Sequence, residues 1–249
     1  MKAFEYRFMR FKAITVTRMV FPCLLVLAVS HHVNGQQIAP SGVSNAGGGM
    51  NLSDHMLILE SKKALNGKSD AVIEGTPYLP PDFSPASVQV YRGATETIPA
   101  RYNACDDNLE YQIKGVTYIL DPSPKLVHVK FNNYTLVVDK LPGRNVIFAF
   151  YIRLDSGRAT LLSRKPIELQ AAQAPKALES SGKAARYVPK QQQYFIKIGD
   201  QVPTPFNNAK KLADLLPDHK EDIERFISES KLSKGEEDLT KLVAYYNSL

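Results

Sequence analysis

Alternation of apolar and polar positions along the middle of the chain predicts a β-rich domain over residues 71–206. The pattern is clearest at Leu109–Lys114 and recurs at Lys125–Phe131, which is followed by a tight-turn pair, Asn132–Asn133. The residues predicted to face inward on these two strands are Leu109, Tyr111, Ile113, Val127, Val129 and Phe131. The run Val146–Leu154 is almost uniformly apolar, which predicts a central strand covered on both faces.

Over residues 207–249 the spacing between apolar residues changes from two positions to three or four, which predicts a C-terminal appendage of about three helices. The predicted helices span Lys210–Leu216, Asp218–Lys231 and Glu236–Asn247. Ser233 lies three residues before the start of the third helix, the spacing of a capping box. The predicted fold class is therefore α+β, with an antiparallel β-sheet domain, sandwich-like or partly rolled, followed by the helical segment.

The first 35 residues have the order of an export signal. A basic leader precedes a twelve-residue apolar run, Met19–Ser30, and small residues at Val33 and Gly35 predict cleavage before Gln36. The run is shorter than the roughly 20 residues that cross a bilayer, and no later stretch is long and uncharged enough to anchor there. The chain is thus expected in the periplasm, at the outer membrane or outside the cell. Residues 36–70 begin with a Gly, Ser and Ala stretch and are predicted to be a flexible segment.

The charge balance argues against a nucleic-acid partner. Residues 1–35 hold five basic and one acidic side chain, so removing them lowers the net charge from +6 to +2. A surplus this small creates no field that would attract a polyanion. Cys105 is the only cysteine outside the leader, so the cleaved chain has no internal disulfide.

The sequence predicts no catalytic residue, metal-ligand set or cofactor site. Asp106 and Asp107 are adjacent carboxylates in a run typical of a turn, and Cys105 is expected to be buried and inert. The histidines outside the leader are His55, His128 and His219. They lack the i, i+4 spacing of a helical zinc site, and the chain contains no GxSxG, HExxH, P-loop or dinucleotide fingerprint.

Five phrases carry a family resemblance: Glu74–Leu79, Arg101–Asn103, Leu109–Tyr111, Tyr194–Lys197 and Glu236–Leu249. Together they resemble an uncharacterised family of exported proteins from Bacteroidetes-type bacteria. The resemblance runs from about Glu74 to the C-terminus, and it implies a signal peptide, a β-rich body and a helical tail. It brings no established activity and no catalytic residues.

Three functional hypotheses follow. The first is a non-catalytic interaction module that docks an envelope protein through its helical tail. The tail residues predicted for this docking surface are Phe226, Ile227, Leu242, Tyr245 and Tyr246. The alternative is a carrier of a small apolar ligand or lipid in a pocket of the rolled sheet. The residues predicted to surround that pocket are Tyr111, Ile113, Val127, Val129 and Phe148. An exported hydrolase is the third hypothesis, because a fold does not exclude an activity.

Overall fold

The chain folds as a large antiparallel β-sheet followed by helices, as a computed structural model shows. The described residues are 62–63, 73–93, 95–174 and 182–249. The predicted signal peptide and most of the predicted flexible segment therefore lie outside the described residues. Within them, the α+β prediction is confirmed.

Thirteen strands and three helices occur in the described residues. The strands are β1 Lys62–Lys63, β2 Tyr78–Val90, β3 Thr95–Asn103, β4 Asn108–Ile113, β5 Val116–Leu120, β6 Leu126–Lys130, β7 Thr135–Leu141, β8 Arg144–Asp155, β9 Ala159–Arg164, β10 Ile167–Gln170, β11 Arg186–Pro189, β12 Gln193–Ile198 and β13 Thr204–Phe206. The helices are α1 Ala209–Leu215, α2 Lys220–Ser230 and α3 Glu236–Ser248. The main sheet has the order β1-β5-β4-β3-β2-β6-β7-β8-β9-β12-β13, and β10 pairs with β11 apart from it.

The main sheet curls around its larger core. Leu120 at the end of β5 and Leu126 at the start of β6 belong to one hydrophobic cluster, although β4, β3 and β2 lie between their strands in the sheet. Only residues 121–125 connect the two strands. Other side chains buried in this cluster are Val88, Ala100, Leu109, Tyr111, Val129, Leu136 and Phe150. Since all buried residues of this cluster lie on β2–β8 or on their connections, the sheet covers its own core.

A β-bulge in β6 overturns one prediction of the alternating pattern. Gln89 pairs with His128 and Val90 with Leu126, so Val127 is the extra residue on its strand. A bulge interrupts the two-residue period of a strand. Leu126 is consequently buried, and Val127, predicted to face inward, is 41% exposed.

The prediction for the central strand is confirmed between Ala149 and Ile152 of β8. Phe150 and Ile152 belong to the larger core, whereas Ala149 and Tyr151 pack on the opposite face with Leu162 and Phe195. Since both faces are covered, this stretch shows no alternation in the sequence.

The helix ends are set by local hydrogen bonds. The Asn208 side chain accepts a hydrogen bond from the backbone N–H of Lys211 and caps α1. The predicted capping box of α3 is wrong, because its N-cap is Gly235, and the backbone N–H of Ser233 donates instead to Asp238. Among the described residues, no helix is both long and apolar enough to cross a membrane.

All three helices share a second core with the end of the sheet. Ala159 and Leu161 of β9 and Ile196 of β12 form its sheet side. The fully buried helix residues in this core are Ala209, Leu212, Ile223, Leu239, Leu242, Val243 and Tyr246.

Asn247 joins α3 to the β8–β9 hairpin through backbone groups. Its Oδ1 accepts from the N–H of Ala159 at 2.9 Å, and its Nδ2 donates to the carbonyl of Ala159 at 3.0 Å. Arg158 adds a hydrogen bond to the Tyr246 hydroxyl at 3.1 Å and an ion pair with Asp218. Gly157 provides room for this contact, since a Cβ there would lie 2.5 Å from Cγ of Asn247.

A second polar contact joins three phrases of the family resemblance. Arg101 donates from Nε and Nη2 to Glu110, at 2.9 and 2.7 Å, and the Tyr78 hydroxyl donates to the same carboxylate. The Arg101 guanidinium lies 3.5 Å from the ring centroid of Tyr78 and 4.3 Å from that of Phe83. The contact therefore connects β2, β3 and β4 on one face of the sheet.

Removing the Asn247 side chain should destabilise the protein, and the effect of Gly157 should depend on it. Asn247→Ala leaves both backbone groups of buried Ala159 without these partners, so the free energy of unfolding should fall by about 2 kcal/mol. Gly157→Ala should destabilise the unmodified protein but be neutral or stabilising when combined with Asn247→Ala. Urea unfolding followed by circular dichroism measures this cycle, with Ser248→Ala as the control in the same helix. Additive effects would contradict the proposed steric coupling.

Stability should fall in alkali as Tyr78 ionises. Burial, and then the charge of Glu110, raises the pKa of Tyr78 to about 12, whereas an unfolded tyrosine ionises near pH 10. A raised folded-state pKa gives stability that is present below about pH 10 and is lost as the pH approaches 12. Tyr78→Phe should therefore lose less stability than the unmodified protein between pH 10 and 12 in urea unfolding. An identical pH dependence of the two proteins would refute the assignment.

Candidate functional site

The structure divides the five predicted docking residues between core and surface. Leu242 and Tyr246 are 0% and 1% exposed inside the core of the tail, so they are excluded from any docking surface. Phe226, Ile227 and Tyr245 are half-buried. The rings of Phe226 and Tyr245 stack with centroids 4.1 Å apart, which joins α2 to α3.

The five residues predicted to surround a carrier pocket do not share one environment. Tyr111 and Val129 are fully buried in the larger core, and Ile113 packs against it. Phe148 is half-buried, and the bulge turns Val127 to the surface. They are therefore core and surface residues rather than the walls of one pocket.

A row of cavities instead lies around α1, where the end of the sheet meets the helices. Three adjoining cavities of about 600, 500 and 340 Å³ form it. The first is lined by Gln191–Phe195, Pro205, Phe206, Asn207, Lys234 and Gly235. The second is lined by Pro205, Phe206, Asn207, Lys211, Asp214 and Leu215. The third is lined by Lys210, Ala213, Asp214, Glu224, Ile227 and Ser228. Because neighbouring cavities share wall residues, we treat them as one α1 groove.

The α1 groove combines apolar surfaces with amide side chains. Phe206 stacks on Tyr194 across β12 and β13, with centroids 6.2 Å apart, and Leu215 is 36% exposed. Burial, and then the charge of Glu236, raises the pKa of Tyr194. The side chains of Gln191–Gln193 and Asn207 carry amides, which both donate and accept hydrogen bonds. The groove can therefore hold apolar groups and pair polar ones.

β13, between the first two cavities, forms the outer edge of the main sheet. It pairs with β12 through Thr204, Pro205 and Phe206. Pro205 has no N–H, so the backbone hydrogen bonds between β12 and β13 are assigned to Thr204 and Phe206. The backbone of Pro205 then faces away from β12. Pro205 therefore offers an added strand a carbonyl acceptor but no N–H donor, so donors to a ligand of the groove have to come from side chains.

A separate cavity of about 440 Å³ lies on the other side of Glu236. It is lined by Leu79, Pro80, Pro81, Asn133, Tyr134, Ile152, Arg153, Leu154, Lys165 and Glu236. Lys165 Nζ lies 3.4 Å from Oε2 of Glu236, and the Gln192 side chain donates to the same oxygen. Glu236, the first residue of α3, thus contributes to this cavity and bonds to a wall residue of the α1 groove.

No family model, curated protein or solved structure matches this chain. The family resemblance stays a prediction, and the function has to be argued from the geometry.

The acidic run at Asp106 and Asp107 forms the predicted turn. The Asn103 side chain accepts from the backbone N–H groups of Cys105 and Asp106, both at 3.0 Å. Asp107 accepts from the Tyr102 hydroxyl and pairs with Arg164 at 3.0 Å. Cys105 is partly exposed rather than buried as predicted. Within the described ranges, no three His, Cys, Asp or Glu side chains are grouped to hold a metal ion.

Sequence reasoning missed most of the groove. The sequence pattern predicts no role for Gln191–Gln193, and it places Pro205 and Phe206 only at the end of the predicted β-rich domain. The three consecutive glutamines beside an aromatic strand were the one local signal. Their assembly with α1 depends on how the helices pack, which no local pattern encodes. Ile227 is the one predicted docking residue that lines the groove.

Adding a backbone N–H donor at the edge of the sheet should make the protein self-associate. Pro205→Val supplies the outward N–H that β13 lacks, and exposed strand edges template pairing between chains. Sedimentation velocity should detect dimers or larger species of this variant. The control is Thr204→Val, which adds apolar surface to the same strand without adding an outward N–H. A monomeric Pro205→Val, or equal association of both variants, would contradict the edge argument.

Proposed function

We propose that the protein is an exported, non-catalytic interaction module that binds an extended segment of a partner polypeptide in the α1 groove. The observation that carries the proposal is the row of three neighbouring cavities along β13, α1 and α2, each of which shares wall residues with the next. A groove made of several cavities in a row suits an extended polypeptide better than one compact small molecule.

The dimensions of α1 support an extended occupant. Its seven residues are about 10 Å long at 1.5 Å per residue, which matches about three residues of an extended peptide at 3.3 Å each. The groove continues beyond the helix to Gln191–Gln193 and to Glu224 and Ile227. It therefore accommodates a longer segment.

The chemistry of the walls fits a peptide as well. Each peptide unit carries one donor and one acceptor, and the glutamine and asparagine amides of the groove can pair with both. Phe206, Leu215 and Ile227 offer apolar contacts at intervals along it. Basic and acidic residues both line α1, so complementary charges can fix the direction of the bound chain.

A small-ligand carrier is the second candidate function. The cavity of about 440 Å³ beside Tyr134 favours it, since ligand sites commonly have volumes of roughly 300 to 1,000 Å³.

Photo-crosslinking from the groove tests the first proposal. A photoreactive residue replacing Leu215 should give one polypeptide adduct in the envelope of the native host, and mass spectrometry should map it to one short segment. Leu169 on β10, 45% exposed, is the matched control position outside the groove.

Binding of that segment, as a synthetic peptide, should then weaken about tenfold or more in Ile227→Glu, because a charge replaces an apolar contact. Fluorescence anisotropy measures the affinity. Equal crosslinking from Leu215 and Leu169, or unchanged affinity in Ile227→Glu, would refute the groove as the docking site.

A further inference from the structure

We propose that the cavity beside Tyr134 binds a free α-amino acid with an aliphatic side chain. The inference rests on the carrier hypothesis and does not require the α1 groove to bind a peptide. Its carrying observation is a charged pair of opposite sign, Lys165 and Glu236, on the wall of a cavity whose other walls are apolar apart from Asn133, Arg153 and the Tyr134 hydroxyl.

The apolar walls suit an aliphatic side chain. Leu79, Pro80 and Pro81 come from β2, and Ile152 and Leu154 come from β8. Tyr134 is positioned among them because its hydroxyl donates to the carbonyl of Leu79. Burial of this hydroxyl raises the pKa of Tyr134, so the ring carries no charge at neutral pH. An aliphatic group placed here loses contact with water and gains apolar neighbours.

The charged pair suits a zwitterion. The 3.4 Å between Lys165 and Glu236 exceeds the roughly 2.8 Å of a strong charged hydrogen bond. Their side chains are 43% and 39% exposed, so the ion pair is weak and its members can take new partners. An α-amino acid carries an ammonium and a carboxylate on one carbon. Placed antiparallel to the pair, its carboxylate would meet Lys165 and its ammonium would meet Glu236.

The same pair disfavours ligands with one charge. A simple amine would be repelled by Lys165 and Arg153, and a simple carboxylate that took Lys165 would leave the charge of Glu236 without its partner. Because Gln192 also donates to Glu236, that carboxylate stays in place when Lys165 turns to the ligand.

Isothermal titration calorimetry of the exported chain tests the site with L-leucine. Two analogues each lack one charge: leucinamide has no carboxylate, and 4-methylpentanoate has no ammonium. Leucine should bind, and each analogue should bind about tenfold or more weakly, as expected for the loss of a charged hydrogen bond. No binding of leucine at millimolar concentration, or equal binding of leucine and 4-methylpentanoate, would overturn the proposal.

Two variants connect binding to the cavity. Lys165→Met and Glu236→Gln should each weaken leucine binding about tenfold or more, while circular dichroism shows an intact fold. Lys190→Met is the matched control, since Lys190 pairs with Glu168 and is not a wall residue of this cavity. Unchanged affinity in Lys165→Met would refute the site. Lys165→Met changes no wall residue of the α1 groove, so its effect on leucine binding is separable from peptide binding there. Glu236→Gln also changes the partner of Gln192, a groove residue, and serves only to confirm the result of Lys165→Met.

Discussion

The contact between Asn247 and the backbone of Ala159 is the constraint on which both candidate sites depend. It occupies the donor and the acceptor of one strand residue with a side chain from the last turn of α3. Since a side-chain amide can match a backbone donor and acceptor only in one orientation, the contact fixes α3 in position and direction on the sheet. The apolar side of α3, from Leu239 to Tyr246, is buried in the second core, but hydrophobic contacts alone are not directional.

Fixing the C-terminal end of α3 also sets the position of its first residue. Glu236 begins the helix, where a carboxylate interacts favourably with the helix dipole. It meets Lys165, next to the end of β9, and Gln192, just before β12. The cavity beside Tyr134 and the α1 groove thus meet around one side chain. A displacement of α3 would change both.

The sequence predicted the features that depend on local periodicity. The alternation at Leu109–Lys114, the uniformly apolar Val146–Leu154 and the helical spacing of residues 207–249 all correspond to observed elements. The sequence did not predict the features that depend on contacts with neighbouring strands or helices. Val127 faces outward because β2 pairs with both sides of a bulge, and Leu242 and Tyr246 are buried because the sheet covers their stripe. An amphipathic helix shows in its sequence that one face is covered, but not by what.

The candidate sites lie at a junction between elements rather than within one element. The interior of the curled sheet is filled by large side chains such as Tyr111, Leu136 and Phe150, so it is a packed core. At the end of the sheet, the three-residue strand β13 and the seven-residue helix α1 are too short to cover each other completely. Pro205 prevents another strand from continuing the sheet there. Space for a ligand remains where β13 and α1 end. The side-chain amides of Gln191–Gln193 and Asn207 can lie there because they are not buried without hydrogen-bond partners.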